Sequence, residues 1–227
     1  MNLIAVEYLH LKNALKEVVL DPYPVTDLGL ERLKQIKNWD IKIVDEVSPN
    51  SDYIFVGGAL TKLAKYLENN TAKTIVINGG FVGANIIDKK HELMKFKNKL
   101  AVRTYNFNLD VVATQKVINS SNYQKMYLVG KNVCHSILNT TTELWKNESF
   151  LNKYNLSPQK RLHDLLMCRE GLLIINNQSQ DSYIEYKAVQ PKTSEYIGSY
   201  TGNMVKWGSE EAKRDDAKII AAINFKD

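Results

Sequence analysis

"DYIFVGGALTKLAKYLENNTAKTIVINGG", residues 52–80, carries the pattern from which the rest of the chain can be read. The runs "DYIFVGG" (52–58) and "KTIVING" (73–79) are rich in Val, Ile and Tyr and bounded by Asp, Asn or Gly, as strands are. Between them Leu60, Leu63, Ala64 and Leu67 recur at i, i+3, i+4 and i+7, the spacing of an amphipathic helix over "ALTKLAKYLENN" (59–70). Strand, helix and strand in that order, with nearly continuous apolar strands, predict a parallel sheet covered on both faces.

The same alternation extends in both directions. "NLIAVEYL" (2–9), "EVVL" (17–20), "DIKIVDEV" (40–47) and "KMYLVG" (125–130) are further predicted strands. "TDLGLERLKQIKN" (26–38) spaces Leu28, Leu30, Leu33 and Ile36 as a helix does, and "DVVATQKVINSS" (110–121) is a third helix with Asp110 as its N-cap. The last third changes character. "GLLIINNQ", "YIEYKAVQ" and "YTGNMVKWG" read as strands without helices between them, and "SEEAKRDDAKIIAAINF" (209–225) reads as a helix or a helix plus strand. The expected fold is therefore α/β: a mostly parallel, Rossmann-like open sheet with helices on both faces and a small C-terminal antiparallel appendage. No linker, repeat or low-complexity tract divides residues 1–227, so a single domain is expected.

Composition narrows the function classes. The net charge of +5 comes from scattered Lys and Arg, without the basic stripe and interleaved aromatics of a nucleic-acid reader, so nucleic acid is not the expected partner. The start, "MNLIAVEYLHLKNALKEVVL", lacks a basic leader and is interrupted by Glu7, His10 and Lys12, which argues against a signal peptide or membrane span. Cys134 and Cys168 have no CxxC spacing and lie in apolar surroundings, as reduced core residues of a cytoplasmic protein would.

Ligands of such sheets bind outside the carboxyl ends of the strands. That rule selects Gly57 and Gly58 after "IFV", Asn78, Gly79 and Gly80 after "IVI", and the loop around Asn106. Neither glycine pair is a phosphate-binding loop or a dinucleotide fingerprint. A second focus is "KRLHDLLMCREG" (160–171), where His163 and Asp164 head an apolar run. Asp164 could serve as an N-cap, with His163 merely beside it; alternatively, a carboxylate and an imidazole withdrawn from water form a site.

Four segments in order resemble the nucleoside hydrolases. "DYIFVGGALTKLAKYL" (52–67) is similar to that family's GPLTN-L-A turn, and "KTIVINGGFVGANI" (73–86) to its M-G-G…G-N strand end. "RTYNFNLDVVATQKVINSSNYQKMYLVGKNVCHS" (103–136) resembles E-F-N-x-x-x-D-P-E-A-A followed by a strand and L-D-V-T-H. "RLHDLLMCREG" (161–171) resembles P-x-H-D-P-L-A, which carries the family's active-site His-Asp. The resemblance spans about 120 residues of a chain shorter than the family's usual length. It implies a Ca²⁺-dependent N-ribohydrolase site: Asp164 at a metal ligand, His163 beside the leaving base, and Asn106 on the ribose. Asn85 would stand for the asparagine of G-N, and His135 for the histidine of L-D-V-T-H.

The family's D-x-D-P-G-x-D-D signature has no full counterpart. In one register "LIAVEYLHLKNAL" is the first strand and its turn, with Val6, Tyr8, Lys12 and Asn13 at the aspartate positions. In the other, "VVLDPYPVTDLGLERL" (18–33) is the signature, and Asp21 and Asp27 join Asp164 as metal ligands, Asp21 also as the base. Thr104 replaces the glutamate of E-F-N. The leading expectation is a nucleoside hydrolase-like protein with a degraded calcium site that binds a nucleoside, nucleotide or other ribosylated ligand, where Lys12 would replace the cation. An active N-ribohydrolase with a rearranged site and a protein-interaction scaffold are the alternatives, and a homo-oligomer is compatible with each.

Overall fold

The computed structural model describes residues 3–19, 34, 36, 38–81, 93–97, 102, 104–136, 145, 147–156, 162–178, 182–185 and 217–222. The elements in chain order are α1 (Leu3–Leu11), β1 (Glu17–Val19), β2 (Lys42–Val44), β3 (Tyr53–Val56), α2 (Thr61–Asn69) and β4 (Ala72–Asn78). They continue with α3 (Tyr105–Leu109), α4 (Val111–Asn119), β5 (Tyr123–Val129), α5 (Lys131–Ser136), α6 (His163–Ile175), β6 (Ser182–Glu185) and β7 (Ala217–Ala222). A five-stranded sheet runs β3-β4-β5-β7-β6, and β1 pairs with β2 in a two-stranded sheet. Every pairing is parallel except β6 with β7. The fold is thus the mostly parallel α/β arrangement that the alternating pattern predicts.

Period-2 alternation along the central strands divides the core into two layers. Ile54 of β3, Ile75 and Ile77 of β4, and Met126 and Leu128 of β5 pack with Leu63, Leu67, Val117 and Ile118 of α2 and α4. Phe55, Val76 and Val129 face the opposite way, into a layer built from α1 and α6 with Leu9, Leu165, Met167 and Cys168. Both faces are therefore buried. The Asp110 carboxylate accepts from the Ala113 N–H at 2.9 Å and caps α4, as its sequence position predicts.

Two strand expectations are overturned. Residues 3–11 form a helix whose residues Leu3 to Leu9 are all buried, so the apolar run has no polar face to betray its helical period. Its end is a left-handed cap: Asn13 has φ 53°, its N–H donates to His10 O at 2.9 Å, and the Ala14 N–H donates to Leu9 O at 2.9 Å. "GLLIINNQ" is likewise the last turns of α6. There Asn177 has φ 54° and donates to Ile174 O, while Gln178 N–H donates to Leu173 O. At the far end, residues 217–222 are a strand that joins β5 in parallel and β6 in antiparallel fashion, so the antiparallel part is an edge of the main sheet. "YTGNMVKWG" and most of 26–38 lie outside the described residues.

Candidate functional site

Strands β3, β4 and β5 run parallel, so their carboxyl ends open on one side, and there a cleft of about 310 Å³ lies. That volume is at the small end of small-molecule sites. Gly57 follows β3, Asn78 ends β4, and Gly79 and Gly80 turn the chain away, with Gly80 at φ 89°. Glycine adopts so large a positive φ without the strain a Cβ would bring. The turn is fixed to the neighbouring strand: Gly79 N–H donates to Val129 O at 3.2 Å, and Lys131 N–H donates to Gly80 O at 2.9 Å. Gly79 has a second constraint, because a Cβ there would lie 2.3 Å from Cε1 of the buried Phe107 ring.

Asn78 is the hub of the cleft. Its Nδ2 donates to Asp164 Oδ1 at 2.7 Å, and its backbone carbonyl accepts from Asn106 Nδ2 at 2.8 Å. The Cys134 thiol lies 3.7 Å from Asn78 Oδ1 and 3.6 Å from Val129 O, so its one proton is divided between two acceptors. These contacts join β4, α3, α5 and the start of α6 across 86 residues of sequence. Asp164 is not the N-cap of α6, a position that Leu162 holds; it lies in the first helical turn, where a carboxylate suits the dipole.

The histidines form a second cluster. The ring centroids of His135 and His163 lie 5.1 Å apart, and the Phe96 and His135 rings stand perpendicular with centroids 5.3 Å apart. Lys95 Nζ is 3.3 Å from His135 Nδ1. An ammonium can only donate, so in this contact Nδ1 is the acceptor. Lys131 lines the same cleft. Burial lowers its ammonium pKa below the usual lysine value, the Lys95 charge lowers it further, and the Cys134 thiol opposes both.

The cleft thus gathers Gly57, Asn78, Asn106, His163 and Asp164 from the residues singled out in sequence, and His135 with them. Lys12 is elsewhere: its Nζ pairs with Glu148 at 3.1 Å and lies over the Tyr8 ring, because its segment is a helix end and not a strand turn. With α1 a helix, the register that placed Val6, Tyr8, Lys12 and Asn13 at the aspartate positions loses its strand. Asp21, Asp27 and Asn85 lie outside the described residues. Lys131, Lys95 and Cys134 were not foreseen, although only Gly130 separates Lys131 from β5 and the carboxyl-end rule would have selected it.

Calcium asks for about six to eight oxygen ligands, carboxylates among them. Asp164 is the one carboxylate among the described lining residues, beside an ammonium and two imidazoles. No group of three or more His, Cys, Asp or Glu among the described residues could hold a metal ion. The described donor set does not fit calcium.

No family model matches the chain. It is 29% identical over 216 residues to an uncharacterized protein of Aquifex aeolicus (strain VF5), a match covering 87% of this chain and 70% of that one. Among solved structures it is similar to an inosine-guanosine nucleoside hydrolase, at 16% identity and a TM-score of 0.48, covering 88% of this chain. The chain spans 64% of that structure's length. Among the described residues no helix is long and apolar enough to cross a membrane.

Proposed function

We propose that residues 1–227 form a single nucleoside hydrolase-like domain whose cleft binds a nucleoside or another ribosylated small molecule and does not cleave its N-glycosidic bond efficiently. The observation that carries this reading is the chain from Asn106 through Asn78 to Asp164 at the carboxyl end of β4. It draws together three of the segments that resemble the family, and its amides and carboxylate are the groups that hydrogen-bond sugar hydroxyls. Cleavage of the bond builds positive charge on the sugar and needs an activated water. Here the described lining offers one carboxylate, already accepting from Asn78, in a cleft that also holds Lys131.

One observation favours a second reading, an active hydrolase. Because residues 3–11 are a helix, β1 is the first strand in chain order, and Asp21 follows its end at Val19 by two residues. That reading asks for calcium on Asp164, Asp21 and Asp27.

Both are tested by incubating the protein with a panel of nucleosides, with calcium and with chelator, while measuring released base by chromatography and melting temperature by thermal shift. The expected result is a nucleoside that raises the melting temperature without calcium-dependent base release. In D164N that nucleoside should bind roughly tenfold more weakly, the loss of one charge-assisted hydrogen bond. Calcium-dependent release that disappears in D21N would replace the first reading with the second.

A further inference from the structure

Basic groups from three separate segments gather at the cleft and just beside it. Lys131 and His135 come from α5, His163 from the start of α6, and Lys95 from the short turn Met94–Phe96, where it touches His135. Phe96 supports the group, with Lys95 Nζ 5.5 Å above its ring and its edge against His135. The one carboxylate of the described lining, Asp164, is engaged by Asn78. The Lys131 ammonium is partly withdrawn from water and feels the Lys95 charge, so it loses hydration and is repelled. An anion placed among them would turn both costs into attraction.

We propose that the ligand of this cleft carries a phosphomonoester, seated on Lys131, Lys95 and His135. The ammoniums supply compact charge, and the His135 imidazole beside them can donate to an anion. The proposal rests on the ribosylated-ligand reading and sharpens it to a nucleoside monophosphate or ribose phosphate. It also gives the glycine turn a purpose: Gly80 accepts from the Lys131 N–H and so fixes where that side chain starts.

The test is calorimetric titration of the full chain with the common nucleosides, their 5′-monophosphates, ribose 5-phosphate and inorganic phosphate, at low and high ionic strength. A monophosphate is expected to bind at least roughly tenfold more tightly than its nucleoside, the scale of one charge-assisted bond, with the preference shrinking as salt rises. In K131M the ratio of the two affinities should fall toward one, whereas K131R should keep it. A monophosphate no tighter than its nucleoside, or a preference that survives both K131M and K95M, overturns the proposal and leaves the nucleoside reading standing. Lys131-dependent binding of ribose 5-phosphate or inorganic phosphate, with no nucleoside bound, supports the phosphate site and overturns the nucleoside reading. No binding of any of these overturns both.

Discussion

On the α1–α6 face buried acids meet bases of the same protein, whereas in the cleft at the carboxyl end of the sheet bases gather around a void. Glu7 in α1 is only 5% exposed and is held by the Lys153 ammonium and the Tyr154 hydroxyl. Glu170 in α6 is wholly buried and bonded to Arg169, and Lys12 pairs with Glu148. Each of these acids has its counter-charge within the chain, which is what a fold requires of charge taken out of water. Lys131 lines the cleft with two imidazoles and feels the charge of Lys95, which touches one of them, with one carboxylate among the described lining residues. Charge matched internally serves packing; on the proposed reading, the bases gathered at the cleft serve a ligand.

The sharpest way to break this contrast is to unmatch the packed face. R169A leaves Glu170 buried without its guanidinium, and breaking such a pair costs about 3 kcal/mol, at the lower end of the range because Arg169 is partly exposed. Urea unfolding should show that loss with ligand affinity intact. A loss well under ~1 kcal/mol would mean that Arg169 is a surface pair of little weight.

G79A tests where the cleft meets the α2–α4 layer of the core. The added methyl would drive into the Phe107 ring of α3, which has no exposed surface and packs into the core. Overpacking of this kind costs about 1–3 kcal/mol. Because Asn106 immediately precedes Phe107, the displaced ring should also loosen the Asn106 bond to Asn78 and weaken ligand binding. Unchanged binding beside lowered stability would separate the core from the cleft.

How much of this could be read in advance differs between the same two regions. The central strands β3, β4 and β5 and helices α2 and α4 were legible because each helix keeps a polar face and each strand ends on Gly or Asn. Gly57, Asn78, Asn106, His163 and Asp164 could be named together because the carboxyl-end rule and the His-Asp pair both follow from local sequence. Helix α1 was not legible, since burial all round erases the helical period. The end of α6 misled for a similar reason: Leu172, Leu173, Ile174 and Ile175 form an unbroken apolar run that looks the same in either state. The Lys95–His135 contact spans 40 residues, and no local pattern announces it.

Alkaline pH should weaken the packed face. Tyr8 and Cys168 are both pushed above their usual values of 10.0 and 9.0, first by burial and then by the nearby charges of Glu148 and Asp164 respectively. The folded protein therefore keeps protons that the unfolded chain releases, and stability present below pH 9.0 is lost as pH rises past 9.0 and 10.0. Y8F removes the phenol's share, so its stability should fall less steeply above pH 10.0 than that of the parent. Equal slopes would show that Tyr8 ionises as freely in the fold as outside it.

The cleft should respond with the opposite sign and by less. Lys131 is lowered from 10.5, so its folded form gives up a proton before the unfolded chain does, and this group's contribution rises with pH from its folded value up to 10.5. At neutral pH its ammonium is instead a cost that the free protein carries. K131M should accordingly raise the stability of the ligand-free protein, by under about 1 kcal/mol because the side chain is only partly buried. The same variant should lose the preference for a phosphorylated ligand. Gain of stability with loss of binding is the signature of a residue kept for its ligand. If K131M instead destabilised the free protein as R169A does, Lys131 would have its counter-charge within the fold, and the cleft would differ from the packed face in shape and not in its demand for an anion.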